Sequence, residues 1–162
     1  MSFFSEYQQE QIKRFASATE VLRVAGSSGQ HGALQEVFNS SVDRSLNPSP
    51  EAIKSATDLF WELSIYSIKA KRLAKMSFIG LAILIAGSIG VWIADGAGPG
   101  LFWMLVSVTF CVALSVIFQL RHMPRIRRRF NLTNAEAAFA LNHIVGNPRW
   151  QLDMSRQTNT SR

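Results

Sequence analysis

The side chains that could do chemistry are few and lie far apart along the chain. The three histidines, His31, His122 and His143, fall in three different segments, and the one cysteine is Cys111. Imidazole can transfer protons near neutral pH or bind a metal ion, and a thiolate can act as a nucleophile. Each role needs partner groups at a fixed spacing, and the sequence contains no zinc-ligand pattern, phosphate-binding loop or paired carboxylates. The sequence therefore predicts a protein that is not an enzyme, with no cofactor and no metal.

Two stretches without a charged residue dominate the chain, at 76–94 and 101–120. At ~1.5 Å rise per residue each would form a helix of roughly 28–30 Å, the thickness of the hydrocarbon core of a bilayer. Only the short run DGAGPG at 95–100 separates them. The pattern predicts a transmembrane helical hairpin. The alternative is a soluble protein with two adjacent buried helices, which would leave little other chain to cover them.

Basic residues flank the predicted hairpin on both sides. Those before the first span are Lys69, Lys71, Arg72 and Lys75, and those after the second span are Arg121, Arg125, Arg127, Arg128 and Arg129. The connecting loop has no Lys or Arg, so the positive-inside rule places both termini in the cytoplasm. No apolar signal peptide is found near the N-terminus. The predicted localisation is therefore the inner (plasma) membrane, as a multi-pass protein.

The charge balance predicts contact with lipid. The chain has 17 Lys and Arg against 11 Asp and Glu, a net charge of +6 at pH 7. Because the basic residues adjoin the spans, we expect them to contact anionic headgroups, at about 1 kcal/mol for each basic residue near the surface. Nucleic acid is not expected as a partner. An amphipathic helix that cannot bury its apolar stripe alone also predicts a homo-oligomer or a protein partner bound through the cytoplasmic helices.

Hydrophobic periodicity predicts an all-α protein with cytoplasmic helices on both sides of the hairpin. The predicted segments are N-terminal helices at 1–48, a stalk helix at 49–75, the transmembrane hairpin at 76–120, a basic connector with a C-terminal helix at 121–150, and a disordered tail at 151–162. Within the first segment, helices are expected at 5–25 and 33–46. No alternating segment predicts a strand.

The helix boundaries follow from capping residues. Ser49 suits an N-cap and Pro50 the first helical position, and no glycine or proline interrupts the stalk before the first span. One helix is therefore predicted over 50–94. After the second span, Pro124 is expected to kink or end the helix.

The C-terminal region contains one clear helix signal. Thr133 followed by Glu136 is a capping-box pattern, which predicts a helix at 134–145. Beyond it, the polar composition of the chain from Gln151 onward predicts disorder.

Small residues recur at helical spacing along both spans. They are Gly80, Ala82, Ala86, Gly87 and Gly90 in the first span, and Ser107, Cys111 and Ser115 in the second. Small faces let two helices approach closely in lipid. Two arrangements stay open. The stripes could pack against each other within the hairpin, or one stripe could face neighbouring copies while Ser107, Thr109 and Ser115 line a narrow pore.

Other features of the spans limit the possible functions. Neither span contains Asp, Glu, Lys, Arg or His, which argues against a transporter or a proton-driven motor subunit. Trp92 and Trp103 fall near the predicted outer boundary and are typical of interface anchors. The loop between the spans is too short to form an external receptor domain.

The run YSIKAKR at 66–72, directly ahead of a two-span hairpin with both ends predicted to be cytoplasmic, resembles the SLATT family of bacterial membrane effectors. The resemblance covers roughly 59–129. It implies a protein that opens pores and kills the infected cell, in phage-defence systems that use nucleotide signals or reverse transcriptases.

Two functional hypotheses follow. The first is an oligomeric membrane effector that forms a pore or perturbs the inner membrane under the control of its cytoplasmic helices. The second is a non-catalytic membrane anchor or accessory subunit of a larger complex, such as a secretion or conjugation machine.

Overall fold

The computed structural model describes residues 3–26, 29–40, 47–95 and 97–160, and all regular secondary structure in these residues is helical. The helices are α1 (Glu6–Val24), α2 (His31–Ser40), α3 (Pro50–Asp95), α4 (Ala97–Phe130), α5 (Asn134–Phe139), a π-helix (Ala140–Val145) and α6 (Pro148–Thr160). The prediction of an all-helical chain is confirmed for the described residues. Helix α2 begins two positions earlier than predicted, and the predicted continuation over 41–46 lies outside the described residues.

The chain divides into two compact units. The terminal unit comprises Met1–Ser67 and Arg125–Arg162, and the hairpin unit comprises Ile68–Pro124. Helix α3 is continuous over its 46 residues, and the absence of glycine and proline between Glu51 and Phe78 predicts the unbroken passage from the stalk into the first span. Helix α4 is continuous over 34 residues and begins at Ala97, inside the run that the sequence assigns to a connecting loop.

Side-chain caps explain where several helices begin. The Ser5 hydroxyl accepts a hydrogen bond from the Gln8 N–H, and the Gln8 side chain accepts one from the Ser5 N–H, which forms a capping box. Thr133 and Glu136 form the capping box that the sequence predicts. The Ser49 hydroxyl accepts from the Ala52 N–H at 3.3 Å, so Ser49 caps α3 as expected. These local signals lie entirely in the sequence, which is why they are predictable.

The Thr133 cap supports a testable prediction. Thr133→Ala removes the hydroxyl that accepts from the Glu136 N–H at 3.2 Å, and should lower the free energy of unfolding by about 1 kcal/mol. Urea unfolding followed by circular dichroism measures the change. The control is Ser155→Ala, since the exposed Ser155 hydroxyl only donates to the carbonyl of Leu152 in its own helix. Equal losses in the two variants would contradict the capping role.

Helix α4 does not end at Pro124. It continues to Phe130, so the predicted basic connector at 125–130 forms the last turns of a helix. The helix ends because Asn131 adopts a left-handed conformation, with φ of 50°, and the Leu132 N–H donates to the Arg127 carbonyl at 2.9 Å. Asparagine tolerates this conformation better than most residues, and this bonding pattern is a common helix stop. Burial of Ile126 in the core favours continuation of the helix past the proline.

The C-terminal segment is also ordered, in contrast to the predicted disordered tail. Helix α6 covers Pro148–Thr160, and only 161–162 lie outside the described residues. Pro148 is the first residue of this helix, a position that proline favours, although the sequence pattern reads it as the end of the preceding one. Trp150 and Met154, one turn apart, are both buried. Two buried apolar anchors at this spacing hold a helix whose other residues are mostly polar.

The core of the terminal unit is aromatic. Phe15 contacts Phe60 edge to face, with ring centroids 5.2 Å apart, and Phe60 lies 5.2 Å from Trp150. Phe38 of α2 contacts Phe139 of α5 at 5.1 Å. All five rings are buried. Residues from α1, α2, α3, α5 and α6 therefore share one core.

Several buried polar groups in this core are hydrogen-bonded. Gln8 is fully buried, and its side-chain amide donates to the Trp150 carbonyl at 3.3 Å and accepts from Gln157. The Trp150 indole N–H donates to the Ser64 hydroxyl at 3.1 Å. Because an unpaired buried polar group costs about 1–3 kcal/mol, these bonds fix α6 in one position against α1 and α3.

Candidate functional site

The hairpin unit contains the most apolar parts of the chain. Two helices, within Pro50–Ala94 and Gly100–Phe130, are long and apolar enough to cross a membrane, with mean hydropathies of 2.2 and 2.5 in their most apolar windows. Only 6% of each window is buried. The core helix of a soluble protein would be mostly buried, whereas an exposed apolar helix is typical of contact with lipid. The chain therefore has two candidate membrane spans.

The small residues predicted for helix packing in the first span lie on open surface within the single chain. A Cβ atom added at Gly80, Gly87 or Gly90 would have no other atom within 4 Å outside its own helix backbone and chain neighbours. Ala82 and Ala86 are also exposed. The described chain does not place these residues against α4, so any close helix contact at this stripe would have to come from another molecule.

The small residues of the second span have a different environment. Ser107 is 5% exposed, and its hydroxyl donates to the Trp103 carbonyl at 2.7 Å. The Cys111 thiol lies 3.8 Å from the Ser77 carbonyl oxygen of α3. Ser115 is half-buried and bonds to the Cys111 carbonyl. The buried side of α4 thus contains the predicted stripe. This side meets α3 at Ser77, which is not one of the predicted packing residues.

The two hairpin helices approach each other closely at Gly100. A Cβ atom at Gly100 would be 2.7 Å from the Trp92 Cβ and 3.1 Å from the Ser88 carbonyl oxygen. Only glycine fits this position without displacement of the backbone. The sequence prediction placed Gly100 in a loop and so missed it, although the alternation of glycines at 96, 98 and 100 is a signal for close backbone contact.

This contact supports a second prediction, measured by crosslinking within one chain. In a Ser77→Cys variant, a short bis-maleimide should link the introduced thiol to Cys111, because the two positions adjoin across the two helices. Adding Gly100→Val should reduce the linked fraction several-fold, since the valine side chain overlaps Trp92. Gly98→Val is the matched control, because Gly98 has open space around it. Equal crosslinking with valine at 98 and at 100 would contradict close packing at Gly100.

The predicted membrane-surface and anchor residues are accessible. Among the basic residues, Arg127 is half-buried and the exposed ones are Lys69, Lys71, Arg72, Lys75, Arg121, Arg125, Arg128 and Arg129. Arg129 forms an ion pair with Glu62 within the terminal unit. Trp92 and Trp103 each expose about half of their surface. This exposure is compatible with headgroup contact and interface anchoring, which remain predictions.

Tyr66, the first residue of the 66–72 run, is buried in the terminal unit. Burial raises the pKa of its phenol above 10.0, so the group stays neutral at physiological pH. We therefore assign it to the core and not to proton transfer.

Two of the three histidines, far apart in sequence, are neighbours in the structure. The Nε2 atoms of His31 and His143 lie 3.2 Å apart, and both rings are next to Phe139. His122 is in the hairpin unit beside Phe118, with ring centroids 4.5 Å apart. The sequence could not reveal the pair, because it depends on how α2 packs against the segment that contains the π-helix.

Comparisons with protein-family models, curated proteins and solved structures find no match for this chain.

Proposed function

We propose that this protein is an oligomeric membrane effector whose hairpin unit forms a pore or perturbs the inner membrane, with its cytoplasmic helices controlling this activity. The observation that carries the proposal is the open stripe of Gly80, Ala82, Ala86, Gly87 and Gly90 on an exposed apolar helix. In lipid, helices associate through small residues that let their backbones approach. A stripe of small residues that packs against no other helix within the chain favours contact between copies.

The lack of Asp, Glu, Lys, Arg and His in the spans favours a simple pore or membrane defect over coupled transport. Between Lys75 and Arg121 the only charged residue is Asp95, next to the short connection. Pumps and transporters normally contain charged groups within the membrane, and two helices alone cannot enclose a path. Several hairpins together could do so.

Not every predicted pore-lining residue suits that role equally. Ser107 is buried in the hairpin unit and bonded within its own helix, so lining a pore would require the two helices to separate there. Thr109 is exposed and needs no such change. In this arrangement Thr109 is the better candidate for a polar pore surface.

The setting we propose is bacterial phage defence, which the resemblance of the 66–72 run to the SLATT family supports. Under this proposal the terminal unit holds the hairpins inactive until infection, and both termini are cytoplasmic.

The test is membrane potential. The chain is expressed in bacteria from a tightly controlled promoter, and a potential-sensitive dye reports the membrane potential. We expect the cells to depolarise within minutes once the protein is active. A chain truncated before the hairpin, at residue 67, serves as the negative control. Cells that stay polarised while the full chain accumulates in the membrane fraction, with and without phage infection, would contradict the proposal.

The second candidate function is a non-catalytic anchor for a cytoplasmic or membrane complex. It is favoured by an exposed aromatic pair on the terminal unit, Phe3 and Trp61, whose ring centroids lie 4.3 Å apart. Exposed tryptophans are enriched in binding surfaces. Purification in mild detergent should then yield a partner in fixed ratio, and Trp61→Ala should release it. A homo-oligomer without a companion protein would count against the anchor.

A further inference from the structure

The neighbouring histidines of the terminal unit have the geometry of a metal-binding pair. His31 is the first residue of α2, and His143 lies in the π-helix. Their Nε2 atoms are 3.2 Å apart and their ring centroids 5.1 Å apart. Both side chains are exposed, so an ion could reach them from solvent.

The separation fits coordination of one ion by both rings. Imidazole nitrogens bind zinc at about 2.0–2.1 Å, which places two such nitrogens about 2.9 Å apart at a right angle and about 3.4 Å apart at the tetrahedral angle. The observed 3.2 Å lies between these values. Without metal, the same atoms can share one proton in a hydrogen bond, in which one ring donates and the other accepts.

The surroundings of the pair restrict how far the rings can move. The His143 ring is stacked on Phe139, with centroids 5.0 Å apart and planes 28° apart. The His31 ring meets the edge of the same Phe139 at 5.8 Å. Phe139 is fully buried, so it is a fixed support for both rings. Ligands held by packing bind a metal with less loss of conformational freedom than free side chains.

A second, independent feature is the π-helix itself. Helical turns of this type are rare and occur mostly at functional sites. Here the turn spans Ala140–Val145, and the Gly146 N–H closes it by donating to the Leu141 carbonyl at 2.8 Å. A Cβ atom at Gly146 would lie 2.6 Å from the Asn142 carbonyl oxygen, so the turn requires glycine there. The widened turn places His143 beside His31.

We propose that His31 and His143 bind one divalent cation of the Zn²⁺, Ni²⁺ or Cu²⁺ class through their Nε2 atoms, and that the ion links α2 to the π-helix. Imidazole ligands favour these ions over Mg²⁺ and Ca²⁺. Among the described residues no group of three metal-binding side chains occurs, so water completes the coordination. Such a site binds an ion reversibly and stabilises the terminal unit without being needed for its folding.

The test uses the full-length protein in mild detergent, without a histidine tag, titrated with ZnCl₂ and NiCl₂ by calorimetry. We expect one ion per chain, and binding at least tenfold weaker in His31→Ala and in His143→Phe. The phenylalanine keeps an aromatic ring on Phe139, so loss of binding in that variant reports the missing nitrogen and not a lost stack. His122→Ala is the matched control, because His122 lies in the hairpin unit, and should bind as the wild type does.

Electron paramagnetic resonance of the Cu²⁺ form counts the nitrogen ligands directly. Two imidazole nitrogens are expected in the wild type and one in either variant. Circular dichroism should show unchanged helix content in both variants. Absence of zinc, nickel and copper binding to the wild type, equal binding by His31→Ala and the wild type, or a ratio of one ion to two chains would overturn a site formed within one chain.

Discussion

Replacing Trp150 with alanine should lower the free energy of unfolding of the terminal unit by about 3–5 kcal/mol. Trp150 is 1% exposed, and its ring packs against Phe60 with centroids 5.2 Å apart. Its indole N–H is also the donor to the buried Ser64 hydroxyl. The substitution therefore creates a large cavity and leaves a buried hydroxyl without its donor, and both effects destabilise the core. Urea unfolding of the full-length protein in mild detergent, followed by circular dichroism, measures the change.

The matched control for this experiment is Trp61→Ala. Trp61 is 39% exposed and contacts the rings of Phe3 and Phe4, so the same truncation should cost less than at Trp150, about 1–2 kcal/mol. Comparable losses in the two variants, or a Trp150→Ala protein as stable as the wild type, would contradict the packing of α6 into the core. The sequence-based expectation of disorder after residue 150 would then be restored.

The second large effect is expected in the membrane. Gly87→Leu and Ala86→Leu should each reduce both the crosslinked oligomer and the rate of dye depolarisation at least tenfold. Both positions face open space in the single chain, so leucine should not disturb the hairpin itself. It would keep neighbouring helices apart where close approach is needed. Crosslinking in native membranes and depolarisation of whole cells measure the two effects.

The control for this pair is Ala113→Leu, the same change at an exposed position of α4 outside the small-residue stripes. It should leave the crosslinked oligomer unchanged. If Gly87→Leu, Ala86→Leu and Ala113→Leu all behave as the wild type, the stripe on α3 faces lipid and does not mediate contact between copies. Loss of the protein from the membrane fraction in all three would indicate a general insertion defect instead.

Local sequence signals predicted much of the helical structure. The charge-free stretches predicted the two long apolar helices, since length and hydropathy depend only on consecutive residues. Ser49 and Thr133 predicted helix starts correctly because a cap involves groups within one turn. The unbroken helix α3 followed from the absence of glycine and proline before the first span.

The errors arose where distant residues decide the outcome. Helix α6 has too few apolar residues to be recognised from composition, yet Trp150 is held by Ser64 and Phe60 of a helix far earlier in the chain. Helix α4 passes Pro124 because Ile126 beyond it is buried and Asn131 provides a better stop. Neither the burial of Trp150 nor that of Ile126 can be predicted from a short stretch of neighbouring residues.

The candidate sites also divide into features that local sequence predicts and features that depend on packing between distant residues. The basic residues and the apolar spans are properties of composition, so the sequence found them. The orientation of each small-residue stripe depends on which faces of α3 and α4 meet, as they do at Gly100 and at Cys111. The pairing of His31 with His143 depends on packing across 112 positions of sequence. These features required the structure.

Membrane topology is the measurement on which the functional proposal depends most directly. On a Cys111→Ala background, single cysteines are introduced by Gly98→Cys, in the connection between the spans, and by Ser155→Cys, in α6. Intact cells are treated with a membrane-impermeant maleimide. We expect labelling of the cysteine at 98 from outside, and labelling of the cysteine at 155 only after the cells are permeabilised. Recovery of the protein in the soluble fraction, or labelling of the cysteine at 155 in intact cells, would contradict a hairpin that crosses the membrane with both termini inside.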